Sequence, residues 1–152
     1  MRLVLYEPDI PQNAGALLRL AACLDVPVEI IEPCGFFLDD RRLRRVGMDY
    51  LDHVVITRHN SWRAFQGQLT GRLILLTTAG TMRYDDFRFR PEDHLLVGRE
   101  SAGVPEAVHA AADARLRVPM RAGLRSLNVA LAAAMVLGEA LRQTNLFPGR
   151  PA

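Results

Sequence analysis

Short apolar runs alternate along the chain with longer stretches in which apolar positions recur every three or four residues. "RLVLY" (Arg2–Tyr6) reads as a first strand, followed by the proline-rich loop "EPDIPQN". A helix is expected over about 14–24, because Leu17, Leu18, Ala21 and Leu24 share one face. "VPVEII" (26–31) reads as a second strand. "DDRRLRRV" then opens a second helix, with its acids first and its arginines later, in the sense that suits the helix dipole. "HVVIT" (53–57) reads as a third strand, and Asn60 can cap a helix over "SWRAFQGQL". "RLILLTT" (72–78), "HLLVG" (94–98) and "RLRVPM" (115–120) complete six strands. Between the last two, "PEAVHAAA" forms a short helix with proline at its first position. A long apolar helix is expected over about 127–143. The strands are continuously apolar rather than alternating, as in a parallel sheet covered on both faces. The expected fold is therefore α/β, a mainly parallel six-stranded sheet with helices on both faces.

Such a sheet binds ligands at the carboxyl ends of its strands. Three successive strand ends carry glycine-containing loops: "TTAGT", "GRESAGVP" and "PMRAGLRSLN". None matches the dinucleotide pattern G-x-G-x-x-G or the phosphate loop G-x-x-x-x-G-K-[ST]. A ligand with an adenine ring and no phosphate, such as S-adenosylmethionine, suits them; ordinary βα turns explain the glycines equally well. In the first loop, Asn13 is expected just before the helix, Gly15 in its first turn and Arg19 about one turn further on. An arginine on a largely apolar helix points to a buried ion pair or to an anion site. Four arginines crowd "RRLRR", which is either a solvated face or a stripe that meets phosphate through its planar donor forks.

With 152 residues, the chain is expected to fold as a single domain over 1–152. Apolar residues make up 49% and charged residues 24%, and no apolar run is long enough for a bilayer. The opening "MRLVLYEPD" lacks the apolar stretch of a signal peptide, so a cytoplasmic protein is expected. The net charge of +2 is too small to identify a nucleic-acid partner. All 19 basic residues are arginine, which excludes a Schiff-base lysine or a lysine general base. Cys23 and Cys34 fit reduced thiols, with Cys23 expected in the core; two cysteines make neither a zinc site nor a disulfide framework.

Four long segments carry a family resemblance: "LYEPDIPQNAGALLRLA", "IIEPCGFFLDDRRLRRVGMDY", "VGRESAGVP" and "VPMRAGLRSLNVALAAAMVLGEALRQ". In this order they resemble the SPOUT superfamily of RNA methyltransferases, and within it the small wobble-position tRNA 2′-O-methyltransferases of the TrmL or YibK-like type. The resemblance implies a deep C-terminal trefoil knot over about 72–145, a feature the rules of chain topology do not produce. It implies S-adenosyl-L-methionine as cofactor, with S-adenosyl-L-homocysteine as product, touched by Leu76, Gly98, Glu100, Val118, Met120, Ser126, Leu127 and Asn128. It assigns Asn13 and Arg19 to the RNA-facing catalytic motif. Arg41, Arg42, Arg45, Arg121 and Arg125 are expected to meet RNA. The implied partners are the anticodon stem-loop of tRNA and a second copy of the chain, with no metal and no membrane. Ala132, Ala133 and Ala134 would allow close approach in the knot and dimer interface. The chain departs from the family pattern at Ala130–Leu131, where relatives carry a polar pair, at Gly138, where they carry an aromatic residue, and at Arg99, where the usual order is glycine-proline-glutamate.

The implied reaction moves a methyl group from the sulfonium to a ribose 2′-hydroxyl in line. No histidine or carboxylate stands out as a base. Arginine holds its proton too tightly to serve, so Arg19 is read as binding the phosphate beside the target ribose and lowering the hydroxyl pKa electrostatically. Three alternatives stand beside this reading: a non-catalytic RNA-binding protein of the same fold, 2′-O-methylation at another RNA site, and an α/β enzyme acting on a small metabolite.

Overall fold

A computed structural model describes residues 1–37, 41, 45 and 48–149. In chain order the elements are β1 (Arg2–Tyr6), α1 (Pro11–Cys23), β2 (Val28–Ile31), a 3-10 turn (Met48–His53), β3 (Ile56–His59), α2 (Trp62–Gln68), β4 (Leu73–Leu76), β5 (Met82–Arg83), a 3-10 turn (Tyr84–Asp86), β6 (His94–Val97), α3 (Glu106–Ala111), β7 (Ala114–Arg117) and α4 (Val129–Thr144).

The strands form one sheet in the order β3-β2-β1-β6-β4-β7-β5, and every pairing is parallel. Alternate residues along each strand point to opposite faces, and both faces are buried. On one, Leu3, Leu5, Val28, Ile30, Ile74, Leu95, Val97 and Leu116 meet Leu17, Leu18 and Ala21 of α1 and Ala133, Val136, Leu137, Ala140 and Leu141 of α4. On the other, Val4, Tyr6, Ile31, Leu73, Leu75 and Leu96 meet Phe65 of α2 and Val108 of α3. Two-sided burial is why the strands read as unbroken apolar runs.

The path after β4 positions the site. The chain turns at 77–80, forms β5 at the far edge, returns past β4 to lay β6 beside β1, and then inserts β7 between β4 and β5. Gly80 permits this insertion: a Cβ there would lie 2.4 Å from the Leu116 carbonyl carbon. The end of α4 passes close to the 87–89 segment, where Gln143 donates to the Phe87 carbonyl at 3.0 Å and accepts from the Phe89 amide at 2.9 Å.

Several expectations are corrected. The sheet has seven strands instead of six; the addition, β5, has two residues, too few to show a period. The third strand is Ile56–His59, since His53 ends a 3-10 turn and Val55 is 68% exposed. Helix α1 begins at Pro11 rather than about residue 14, because proline suits a first helical position; Asn13 is therefore inside its first turn. Ser61, not Asn60, caps α2 by accepting from the Ala64 amide at 3.1 Å. Pro105 precedes α3 as its cap residue instead of opening it. Helix α4 starts at Val129 with Asn128 as its cap. Cys23, expected in the core, is exposed at the end of α1. Ala133 is buried in the chain's own core and Ala132 lines the cavity described below. Most of the helix expected at "DDRRLRRV" lies outside the described residues.

Candidate functional site

The carboxyl ends of β4, β6 and β7 surround one cavity of about 600 Å³, within the range of small-molecule sites. Leu76, Thr77 and Thr78 form one wall, Gly98–Glu100 with Gly103 and Val104 a second, and Val118, Met120 and 125–129 with Ala132 the third. Leu76, Gly98, Glu100, Val118, Met120, Ser126, Leu127 and Asn128, singled out from the sequence, all stand around it, as does Arg125.

Each wall has a local cause. After β4, the Thr77 hydroxyl accepts from the Ala79 amide at 3.3 Å and its carbonyl from the Gly80 amide at 3.1 Å, which closes the turn. After β6, Arg99 and Gly103 exchange main-chain hydrogen bonds of 3.1 and 2.8 Å, so the loop folds back as a lip. After β7, Gly123 at φ +87° lets the chain turn back where a Cβ would be strained. Asn128 ends this turn. Its Oδ1 accepts from the amides of Ala130 at 2.9 Å and Leu131 at 3.3 Å, capping α4. Its Nδ2 donates to Asn13 Oδ1 at 3.0 Å and joins α1 to the cavity rim. The polar turn thus ends in the acceptor that the free amides at the start of α4 require.

Two acids missed in the sequence brace the lip. Asp9 accepts from the Glu100 amide at 3.2 Å, the Ser101 amide at 3.4 Å and the Ser101 hydroxyl. Burial pushes the Asp9 carboxyl up, but these hydrogen bonds outweigh it and hold it below its ordinary value. Glu7 pairs with Arg99 at 3.2 Å. Their signal was two carboxylates in a proline-rich loop at the end of the first strand, where a ligand edge was expected.

Other candidates lie away from this cavity. Arg19 is exposed on α1 with its guanidinium carbon 4.7 Å from the Tyr50 ring centroid, a cation–π contact, and it does not line the cavity. Arg121 is exposed in the turn outside the lining, and Arg41 and Arg45 are exposed. Arg42 lies outside the described residues. Among the described residues no group of three or more His, Cys, Asp or Glu could hold a metal ion, and no helix is long and apolar enough to cross a membrane.

Fold and cavity together define a parallel α/β protein with a ligand site built from three strand-end loops and no phosphate-binding loop. Comparison with known proteins makes the class specific: residues 1–138 match the SpoU rRNA Methylase family, and the chain belongs to that family. A protein of Beijerinckia indica subsp. indica named tRNA (cytidine(34)-2′-O)-methyltransferase is 63% identical over 144 residues, covering 93% of this chain and 90% of its own length. A solved structure described as structural insights into the 2-OH methylation of C/U34 on tRNA superposes with a TM-score of 0.90 at 43% identity, covering 93% of this chain and 94% of its own. The SpoU methyltransferase AviRb from Streptomyces viridochromogenes, solved in complex with the cofactor AdoMet, has a TM-score of 0.86 at 25% identity, covering 94% of this chain and 60% of its own.

Proposed function

We propose that the chain is a tRNA 2′-O-methyltransferase that transfers a methyl group from S-adenosyl-L-methionine to the ribose 2′-hydroxyl of the anticodon wobble nucleotide, a cytidine or modified uridine. The observation that carries this reading is the convergence of eight sequence-selected residues on one cavity in a chain of this family. The cavity fits the cofactor in chemistry as well as size: Leu76, Val118 and Met120 offer apolar wall, while Ser126, Asn128 and the main chain of the lip offer polar groups. When bound, the cofactor supplies a methyl group activated by a sulfonium.

The chain's own residues position and polarise. Leu76, Gly98, Glu100, Val118, Met120, Ser126, Leu127 and Asn128 hold the cofactor, and Asn13 steadies Asn128. Arg19 binds the phosphate next to the target ribose, and its fixed positive charge favours loss of the hydroxyl proton. Positioning for in-line attack supplies much of the rate. Arg41, Arg42, Arg45, Arg121 and Arg125 contact the anticodon stem-loop.

In this reading residues 1–152 form a single domain, knotted over about 72–145. The insertion of β7 between β4 and β5, and the grip of 87–89 on Gln143, support the knot. The protein works as a homodimer in the cytoplasm, where tRNA is matured, and uses no metal. Leu131, 62% exposed, and Met135, 45% exposed, fall one turn apart on α4 and support a self-association face.

The test is methyl transfer from labelled S-adenosylmethionine to total tRNA of a strain lacking the gene, with nuclease digestion and mass spectrometry. Label in a 2′-O-methylated nucleoside at position 34 is expected. Label at another ribose would overturn the site, and absence of transfer to either unmodified or naturally modified tRNA would overturn the activity.

A further inference from the structure

Arg99 plays no part in the transfer proposed above, yet its side chain is held from three directions. Its Nη1 donates to Glu7 Oε2 at 3.2 Å, and its Nε donates to the Gly103 carbonyl at 3.4 Å. Its guanidinium carbon lies 5.7 Å from the centroid of the Tyr6 ring. Tyr6 ends β1, Glu7 follows it, and Gly103 closes the lip of the cavity. One planar fork therefore joins the end of β1 to the far side of the lip. Arginine is suited to this because its donors reach separate acceptors at once.

One of the joined segments is held in an unusual backbone conformation. Glu7 has φ +41°, a region in which an L side chain is disfavoured, whereas Gly103 at φ +60° turns at no such cost. Contacts must hold Glu7 in place. The Glu7 and Arg99 side chains are 20% and 29% exposed, so water screens the pair less than an open surface pair. Asp9, two residues beyond Glu7, takes the amides of Glu100 and Ser101 on the same lip. The lip is thus fastened twice to the β1–α1 segment, once through the Arg99 side chain and once through its own main chain.

We propose that Arg99 is a positioning residue: through Glu7 it fixes the 98–104 lip against the end of β1 and so sets the cavity's shape for the adenosyl cofactor. The inference rests on the cofactor assignment made above. It differs from a charge contact with the ligand because it makes Glu7 and Arg99 parts of one device. Removing either opens the same lip, and removing both costs no more than removing one.

The experiment uses the full chain as wild type, Arg99→Ala, Arg99→Lys, Glu7→Gln and the Glu7→Gln/Arg99→Ala double variant. Hydrogen exchange of the unliganded proteins should quicken in peptides covering 98–104 for Arg99→Ala and Glu7→Gln, with the core strands unchanged. Calorimetric titration with S-adenosyl-L-homocysteine should show affinity falling about tenfold in each single variant and no further in the double. Arg99→Lys, which keeps the charge but loses the fork, should fall between. In turnover, KM for the cofactor should rise while kcat at saturation stays close to wild type. Unchanged exchange and affinity in Arg99→Ala, or losses that add in the double variant, would overturn the proposal. Faster exchange of the lip in a protein whose wild type does not bind S-adenosyl-L-homocysteine would instead overturn the cofactor assignment and leave the tether standing.

Discussion

At the scale of single residues, Asn128 shows how one side chain serves fold and site together. Its Oδ1 caps α4 and its Nδ2 reaches Asn13, so substitutions can separate the two. Asn128→Ala should lose about 1 kcal/mol of stability with the cap, measured by urea unfolding, and should also lose the contact with Asn13. Asn13→Ala leaves the cap in place and removes only the partner of Asn128 Nδ2. Its stability should stay near wild type while methyl transfer falls; equal transfer in Asn13→Ala and wild type would show that the Asn13 contact is dispensable. Arg19 yields a different prediction. Because it is read both as a phosphate ligand and as a charge that eases loss of the hydroxyl proton, Arg19→Ala should raise KM for tRNA about tenfold, lower kcat as well, and reduce the salt dependence of tRNA binding. A retained KM with a collapsed kcat would count against the phosphate-binding part of this role. The residues around the cavity were legible because parallel strand ends converge on one edge and because the family resemblance singled out positions within those loops. Glu7 and Asp9 were not, since acids in a proline-rich loop look the same whether they face solvent or brace a neighbouring loop. Cys23 misled because its neighbours Ala21, Ala22 and Leu24 are apolar, yet the last turn buries Ala21 and leaves Cys23 on the exposed face.

At the scale of elements, local pattern located most strands and helices, and tertiary pairing set their bounds. The run "HVVIT" is apolar enough for a strand, yet the pairing of β2 with β3 begins at Val28 and Ile56, which leaves Val55 outside. β5 exists because β7 offers Met82 and Arg83 an edge to pair with, a cause that cannot be seen within two residues. The turn between β4 and β5 shows how closely such elements constrain each other. A Cβ at Gly80 would meet main-chain atoms of Leu116 and Arg117 at 2.4–2.7 Å, and backbone inside a sheet has little room to yield. Gly80→Ala should therefore destabilise the protein by about 1–3 kcal/mol. It should also displace Thr77 and Thr78 from the cavity wall. A lowered melting temperature with weakened S-adenosyl-L-homocysteine binding is the expected pair of results; full stability would mean that β7 can shift along β4.

At the scale of the whole molecule, the strand order was not legible. Parallel strands of similar apolar content carry little local information about which neighbour they take, and the return of β6 over β4 depends on packing across the entire sheet. The same packing buries a polar cluster that no local pattern announces. Glu29 of β2, 7% exposed, accepts from His59 of β3 at 2.6 Å and lies 3.2 Å from His94 of β6, with Arg2 of β1 at 3.6 Å. Phe65 of α2 packs edge-on against both imidazoles, at 5.3 and 6.3 Å between centroids. One carboxylate therefore ties together four adjacent strands beneath a helix. Burial pushes the Glu29 carboxyl up, but the hydrogen bonds and charges of His94 and His59 outweigh it and hold it below its ordinary value of 4.5. A carboxyl depressed in the folded state binds its proton more readily when unfolded. Its stabilising contribution is therefore fully present above about pH 5 and is lost as the pH falls through the folded value. Glu29→Gln, which removes the charge from a buried pair, should cost about 3 kcal/mol at pH 7. That gap should narrow on acidification below pH 5, because the protonated wild-type side chain then resembles glutamine. Urea unfolding of both proteins between pH 3 and 7 measures the gap directly. A gap that stays constant across this range would mean that the Glu29 carboxyl binds its proton equally well in the folded and unfolded states, so that its partners do not favour the charged form.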